Sequence, residues 1–210
     1  MQQDEKNSTT IQVELLPLLY NFKREFYLVG GTTIALQIGH RRSIDFDLFK
    51  SKKLRPKSIV SKISEFNLPY IVTRNVSEQL NITVSNVKLT FYEYPFDIEA
   101  PLNFEHILRM PKLLDLAAMK AYDLGRRSKW KDYVDMYFLI KDYFSIVQIS
   151  ERAVQIFDQL FSAKLFRAQL SYFDDVNHDE PVELLVSEPA ESEIKHFLID
   201  RALDIDVGIG

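Results

Sequence analysis

The segment Ile44–Phe49 reads IDFDLF, and this period of two predicts a β-strand with one buried apolar face. Asp45 and Asp47 then share the opposite face, one pleat apart. Two carboxylates at this spacing suit one or two hard cations, and Mg²⁺ prefers oxygen ligands that it shares with substrate phosphates. An Asp-x-Asp pair on a strand is, however, usually a solvated face, so the acids alone leave both interpretations open.

A second element precedes the acids. The apolar run Phe26–Val29 predicts a short strand that ends at Gly30 and Gly31, and Thr32–Ile38 predicts a short helix behind it. Two glycines let the backbone approach a phosphate closely, and the helix points its N–H groups at that anion. The hydroxyls of Thr32 and Thr33 would add donors. Each element alone is weak, but the Asp pair begins fourteen residues after the second glycine, and the combination is much more specific.

The rest of the chain changes character near Pro95. Before it, strands alternate with helices, and Asn86 marks the turn of a predicted hairpin. After it, the apolar spacing predicts helices, with Pro111 at a first helical position and Gly125 as a stop signal. The fold class is therefore predicted to be α+β, a mixed sheet with flanking helices followed by an α-helical C-terminal half. The predicted domains are an α/β core over residues 1–100 and a helical domain over residues 101–210.

Composition limits the chemistry. The chain has no cysteine, which excludes disulfides, thiolate zinc sites and a cysteine nucleophile. No apolar run approaches the roughly 20 residues that cross a bilayer, and the first ten residues have no apolar signal core. We therefore expect a soluble, cytoplasmic protein with no membrane partner.

Charge is distributed unevenly, although the net charge is only −4. Basic residues are concentrated between His40 and Lys57 and again between Arg126 and Lys131, whereas the chain after Ser171 is strongly acidic. A polyanion could meet the basic first half while the acidic tail stays solvated or faces a basic partner. Two ordinary solvated surfaces are the alternative.

Two stretches resemble one known family. The run YLVGGTTIALQIGHRRSIDFDLF, Tyr27–Phe49, resembles the signature of the AbiEii-type nucleotidyltransferase toxins, within the polymerase-β-like nucleotidyltransferase superfamily. The run LLDLAAMKAYDLGRRSKWKDYVDMYFLI, Leu113–Ile140, resembles that family's Leu-Ala-x-Met-Lys helix and the Lys-Asp-x-x-Asp helix that follows. The order and spacing of both blocks make a chance match improbable.

The resemblance implies an activity and its partners. It implies a metal-dependent enzyme that uses Mg²⁺, with Mn²⁺ as a substitute, and transfers NMP from an NTP to an acceptor, either RNA such as tRNA or a protein. It also implies the toxin of a bacterial toxin–antitoxin system, with a cognate antitoxin as partner.

Residue roles follow from the same resemblance. It makes Asp45 and Asp47 the metal ligands, Lys120 the phosphate-binding lysine and Asp132 the late active-site aspartate. All four are expected to converge beside the two glycines. Helical spacing by itself places Lys120 on an apolar face, where snorkelling to the surface is the alternative. Asp135 is interpreted as structural, paired with Arg126, Arg127 or Lys120.

The basic loop before the acids has two interpretations. Arg41, Arg42 and Ser43 are either an ordinary basic loop or donors that compensate the charge of a triphosphate or an RNA acceptor. With the resemblance, the candidate nucleotide-binding residues are Gly30, Gly31, Thr32, Thr33, Arg41, Arg42 and Ser43.

One feature departs from the superfamily pattern. A third carboxylate is expected on the strand predicted over Val87–Tyr94, yet Lys88, Thr90 and Tyr92 occupy the relevant face, and Glu93 points the other way. This gap leaves a second hypothesis open, in which the chain is a degenerate transferase that acts as an NTP-binding or partner-binding scaffold.

Overall fold

The computed structural model of the protein describes residues 13–204, apart from the side chains of residues 125 and 127. The chain forms two compact units. Unit 1 comprises the residues up to Leu36 together with Ser43–Lys112, and unit 2 comprises Gln37–Arg42 together with the residues from Leu113 onward. Division into domains at residue 100 stays a prediction.

The described part of unit 1 contains seven strands, which are β1 Tyr27–Val29, β2 Phe46–Lys50, β3 Tyr70–Asn75, β4 Gln79–Val84, β5 Val87–Glu93, β6 Leu102–Phe104 and β7 Leu108–Met110. They form one mixed sheet with the order β3-β4-β5-β2-β1-β7-β6. Strand β1 pairs antiparallel with β2 and parallel with β7, and β2 pairs parallel with β5.

One face of this sheet carries the core of unit 1. Burial alternates along β2, so that Phe46 and Leu48 are buried while Asp47 and Phe49 are partly exposed. The buried face packs in one hydrophobic cluster with the helical residues 13–20 and with α2, Pro56–Ser64, which contributes Ile59 and Ile63. Full burial of each such aliphatic side chain contributes roughly 1.5–3 kcal/mol. This packing fixes which face of β2 presents the acid.

The predicted hairpin is present. Strands β4 and β5 are joined by Ser85 and Asn86, which both adopt positive φ values, 46° and 69°. A two-residue turn of this kind matches the twist of antiparallel strands, and asparagine tolerates the left-handed region. The turn sets the register of β4 and β5, in which Val84 pairs with Val87. On its other side, β5 pairs parallel with β2 and places Thr90 beside Asp47.

Unit 2 is helical, as the fold-class prediction requires. Besides the end of α1, Gly30–Ile38, it contains α3 Leu113–Arg127, α4 Trp130–Asp142, α5 Ile146–Phe157, a 3₁₀ turn Asp158–Leu160, α6 Ala163–Leu170 and α7 Glu191–Leu203. Ser145 and Gln148 form a capping box at the start of α5, and Ser162 caps α6. None of the helices in residues 13–204 is both long and apolar enough to span a membrane.

Three local expectations differ from the structure. The stretch between Pro95 and Pro111 forms the short hairpin β6–β7 rather than helices. Gly125 does not stop α3, which continues to Arg127, because a single glycine costs only about 1 kcal/mol inside a helix. Strand β2 begins at Phe46, so Asp45 lies directly before the strand instead of inside it.

Candidate active site

In unit 1, a glycine and an acid are in close contact. Helix α1 begins at Gly30 itself, immediately after β1, and Val29 pairs with Asp47 across β1 and β2. Gly30 has a φ of 77°, and a β-carbon built on it would overlap Asp47 Oδ2 and lie 3.1 Å from its Cγ. Only glycine satisfies both conditions. The Asp47 carboxylate therefore lies against bare backbone at the first residue of a helix.

Asp45 accepts hydrogen bonds at its backbone carbonyl and at its side-chain carboxylate. Thr32 Oγ1 donates a hydrogen bond to the Asp45 carbonyl and lies 2.8 Å from Ser43 Oγ. The Lys88 amide donates a long hydrogen bond, 3.4 Å, to Asp45 Oδ1. These contacts tie the segment before β2 to the first turn of α1, and both Asp45 and Asp47 stay partly exposed.

Five of the predicted nucleotide-binding residues lie in unit 1, namely Gly30, Gly31, Thr32, Thr33 and Ser43. Gly30 and Gly31 open α1, and the Thr32 hydroxyl links Ser43 and Asp45. Thr33 is fully buried, and its hydroxyl donates to the carbonyl of Val29, the last residue of β1, at 2.8 Å. These contacts position the loop, and direct phosphate binding by these hydroxyls stays a prediction.

The expected third carboxylate is missing from β5. Thr90 is the residue that pairs with Asp47, and Glu93 Oε2 instead accepts a hydrogen bond from the Leu54 amide at 3.1 Å. Within residues 13–204, no group of three or more histidine, cysteine, aspartate or glutamate side chains is arranged to hold a metal ion. Two carboxylates still fit Mg²⁺, which is commonly bound by one or two acids and substrate phosphates.

Unit 2 holds a second charged group, here called the buried cluster: His40, Arg41, Lys120, Asp132 and Asp135. The Lys120 ammonium lies 2.6 Å from Asp132 Oδ1 and 2.8 Å from Asp135 Oδ2. Arg41 binds Asp135 through both Nε and Nη2, at 2.6 and 3.0 Å, and His40 Nε2 lies 2.8 Å from Asp135 Oδ1. All five residues are at most 5% exposed.

The buried cluster pairs residues of opposite charge. Two cations face two acids, and an ionised Asp135 accepts only, so His40 must donate from Nε2. Burial raises the pKa of Asp135, but Lys120, Arg41 and the hydrogen bonds from His40 and Arg41 outweigh that effect and hold it well below its usual range. Asp135 is therefore an anion, with Arg41 and Lys120 as its counter-ions and His40 as a hydrogen-bond donor.

The sequence predicted that Arg41 and Lys120 bind phosphates and that Asp135 has a structural role. The contact between Asp135 and Lys120 was among the anticipated pairings, whereas the contacts with His40 and Arg41 were missed. No sequence signal links residues that are 94 and 95 positions apart.

Arg42, the next residue of the basic loop, contacts the acidic segment, which we define as residues 174–189. Arg42 donates from its amide to the Glu183 carbonyl at 2.8 Å and from Nε to Glu183 Oε1 at 3.0 Å. The Leu185 amide donates to the His40 carbonyl at 2.9 Å. The acidic segment therefore runs alongside the basic loop that precedes Ser43.

The same segment also reaches the second basic run. Glu180 forms ion pairs with both Lys129 and Lys131. Burial raises the pKa of Glu180, but hydrogen bonds from the two lysines outweigh it and bring the pKa to about 2. The acidic tail predicted to stay solvated or to face a basic partner thus neutralises basic residues of its own chain.

Comparisons with known proteins bear on the fold. No protein-family model matches the chain. A protein of Aquifex aeolicus (strain VF5), itself uncharacterized, is 27% identical over 177 residues, which are 82% of this chain and 84% of that protein.

Two solved structures have folds similar to that of this chain. A proposed nucleotidyltransferase from H. pylori superposes with a TM-score of 0.59 at 19% identity, covering 92% of each chain. MenT4, a nucleotidyltransferase toxin from Mycobacterium tuberculosis H37Rv, gives a TM-score of 0.55 at 14% identity, covering 95% of this chain and 85% of MenT4. The chain has a nucleotidyltransferase fold. The resemblance seen in the two sequence blocks and the predicted α+β class are confirmed at that level.

Proposed function

We propose that this protein is a Mg²⁺-dependent nucleotidyltransferase that transfers NMP from an NTP to an acceptor, either RNA such as tRNA or a protein. The observation that carries the proposal is the contact between the Asp47 carboxylate and the Gly30 backbone at the start of α1, in a fold shared with nucleotidyltransferases.

The start of α1 suits a phosphate. The first backbone N–H groups of a helix have no partner within it, and the helix dipole favours an anion there. Gly30 and Gly31 bring no side chain between these groups and an incoming phosphate. The nine-residue helix can therefore hold phosphoryl oxygens next to Asp47.

Asp45 and Asp47 would hold the metal. Mg²⁺ held there would neutralise charge on the triphosphate and on the pyrophosphate leaving group. The Thr32 hydroxyl fixes the Asp45 backbone, and strand pairing to Val29 fixes Asp47, so both carboxylates are positioned before substrate arrives.

We assign the phosphate-binding and late-aspartate roles to Lys120 and Asp132, following the resemblance. The 2.6 Å ion pair between them supports this assignment in one respect, since a neighbouring carboxylate keeps a buried lysine protonated.

A transfer assay tests the activity. Wild type is incubated with each of the four radioactive NTPs, Mg²⁺ and either total RNA or total protein, and label in each polymer is counted. We expect transfer that disappears with EDTA and in Asp47→Asn. Glu99→Gln, which removes an exposed carboxylate elsewhere in unit 1, should transfer like wild type. Absence of transfer from every NTP to either polymer would refute the proposal.

The second candidate is a scaffold that binds NTP without turnover. It is favoured by one observation, the threonine at position 90 opposite Asp47 where an acid is expected. A scaffold predicts that NTP with Mg²⁺ raises the melting temperature while no nucleotide is transferred. An active enzyme predicts both effects.

The biological role we propose is that of a toxin with a cognate antitoxin. MenT4, whose fold is similar, is a nucleotidyltransferase toxin. Induced expression of wild type beside Asp47→Ala, with the RNA pool sequenced at its 3′ ends, tests this role. Growth arrest and added nucleotides that depend on Asp47 would support it, and equal growth of both strains would contradict it.

A further inference from the structure

Unit 1 contains a cavity of about 330 Å³ at the end of the β1–β2 pair that lies away from Gly30. Tyr27, the first residue of β1, lines it and pairs with Phe49, whereas the candidate acid Asp47 pairs with Val29 at the other end of β1. None of the glycines or acids assigned to nucleotide transfer lines this cavity.

The Tyr27 hydroxyl is the first observation that points to a ligand. The residue is only 7% exposed, and its hydroxyl has no hydrogen-bond partner among the described residues. Buried polar groups are almost always paired, so an orphan that lines a cavity needs an explanation. Burial and the nearby Asp97 raise the pKa of Tyr27, against a smaller opposing effect of Arg109, so at neutral pH this hydroxyl is a donor seeking an acceptor.

Charge is the second sign. Four basic side chains line the cavity, Arg24, Lys50, Lys52 and Arg109, against two acids, Glu25 and Asp97. The Lys50 ammonium already pairs with Glu25 at 3.2 Å. The remaining lining residues leave an excess of two positive charges, which suits a dianion, and arginine side chains are the preferred donors for phosphate oxygens.

Size and apolar surface define the rest of the ligand. Phe96, Ile98 and Ala100 also line the cavity. The volume lies at the lower end of the roughly 300–1,000 Å³ typical of small-molecule sites, and a bare phosphate ion would leave most of it unfilled.

We propose that this cavity binds an organic phosphate monoester of about mononucleotide size. Arg24, Lys52 and Arg109 bind the phosphate together with the Tyr27 hydroxyl, and the organic part packs on Phe96 and Ile98. The site is separate from the proposed transfer chemistry and requires no metal.

Calorimetric titration in EDTA, without divalent cations, tests the proposal apart from the transferase activity. The probes are AMP, glucose 6-phosphate and inorganic phosphate. We expect at least one of the two monoesters to bind wild type roughly tenfold or more tightly than inorganic phosphate, because only a monoester fills the apolar part. The better of the two identifies whether a base or a sugar is the favoured organic part.

The variants separate this site from other basic surfaces. We expect affinity for the better monoester to fall about five- to tenfold in Tyr27→Phe and about tenfold in Arg109→Gln, since each loses a hydrogen bond to a charged group. Lys57→Gln, an exposed cation outside the cavity, is the matched control and should bind like wild type.

A stability measurement separates ligand binding from a structural role of Tyr27. The ligand-free Tyr27→Phe protein should melt at the wild-type temperature or above it, because the lost hydroxyl had no partner. The proposal is overturned if wild type binds none of the three probes at millimolar concentration, if inorganic phosphate binds as tightly as both monoesters, or if the two variants bind like wild type.

Discussion

Unit 1 and unit 2 treat their acids in opposite ways. Asp45 and Asp47 of unit 1 are partly exposed, whereas Asp132 and Asp135 of unit 2 are 0% exposed and surrounded by cations. An exposed acid costs little to keep and remains available to a ligand, whereas a buried acid requires full compensation. The acids of unit 1 therefore remain accessible, whereas Asp135 is held in ion pairs within unit 2.

The largest effect should come from breaking the buried cluster. Asp135→Asn leaves Arg41 and Lys120 without their shared anion, and losing one partner of a buried ion pair costs roughly 3–5 kcal/mol. Denaturant unfolding measures the loss. Asp142→Asn, at the exposed end of the same helix, should change stability by less than about 0.5 kcal/mol. Equal stability of both variants would show that the cluster is not a folding element.

A substitution in the partly exposed pair Asp45 and Asp47 should lower the transfer rate and leave the free energy of unfolding almost unchanged. Asp47→Asn should lower nucleotide transfer by about 10²- to 10³-fold, because it removes one of the two proposed ligands of Mg²⁺. Its free energy of unfolding should stay within about 0.5 kcal/mol of wild type. Initial rates and unfolding curves of the same preparations test both statements. An unfolding loss as large as that of Asp135→Asn would remove the contrast between the units.

Gly30 and Gly39 both have positive φ values, and substitutions at the two positions can be compared. Gly30→Ala and Gly39→Ala should each cost about 1–2 kcal/mol, because a β-carbon strains a left-handed backbone. Only the β-carbon at position 30 would also meet the Asp47 carboxylate, since nothing lies within 4 Å of the one at Gly39. We therefore expect nucleotide transfer to fall in Gly30→Ala by more than its loss of stability explains. In Gly39→Ala, the transfer rate should change only as far as the loss of stability requires. Equal transfer by the two variants would contradict the close approach of Asp47.

The smallest effect concerns Glu180, whose pKa is lowered to about 2 in the folded protein. A lowered pKa stabilises the fold above the unfolded pKa of about 4.3, and the contribution disappears as pH falls toward 2. The carboxylate is 42% exposed, so solvent screening limits the contribution to less than about 1 kcal/mol. The stability difference between wild type and Glu180→Gln should be present at pH 6 and shrink by pH 2.5. A constant difference would exclude the ion pairs as its origin.

The sequence predicted the parts of the structure that local patterns determine. The alternation through Phe46 and Leu48 correctly predicted β2 and the face that carries Asp47, although Asp45 lies just before the strand. The residue of β5 opposite Asp47 is Thr90, which is not an acid. Asn86 marked the hairpin turn. These features depend on the side-chain period and the turn geometry of a few consecutive residues. They can therefore be predicted from the sequence.

Features that depend on distant partners were not predictable in the same way. Strands β6 and β7 have three residues each, too few to show a period, and they exist through pairing with one another and with β1. The contacts of Asp135 with His40 and Arg41 join residues almost a hundred positions apart. The assignment of the site residues to catalysis stays a prediction, because their roles depend on a substrate.

The acidic segment affects how a polyanion such as RNA would bind to the basic residues of unit 2. Arg42, Lys129 and Lys131 already have carboxylate partners in Glu180 and Glu183. An RNA strand arriving there would exchange one set of anions for another and would release fewer small counterions than bare cations do. Its affinity for this face would consequently depend less steeply on salt concentration than the count of basic residues suggests.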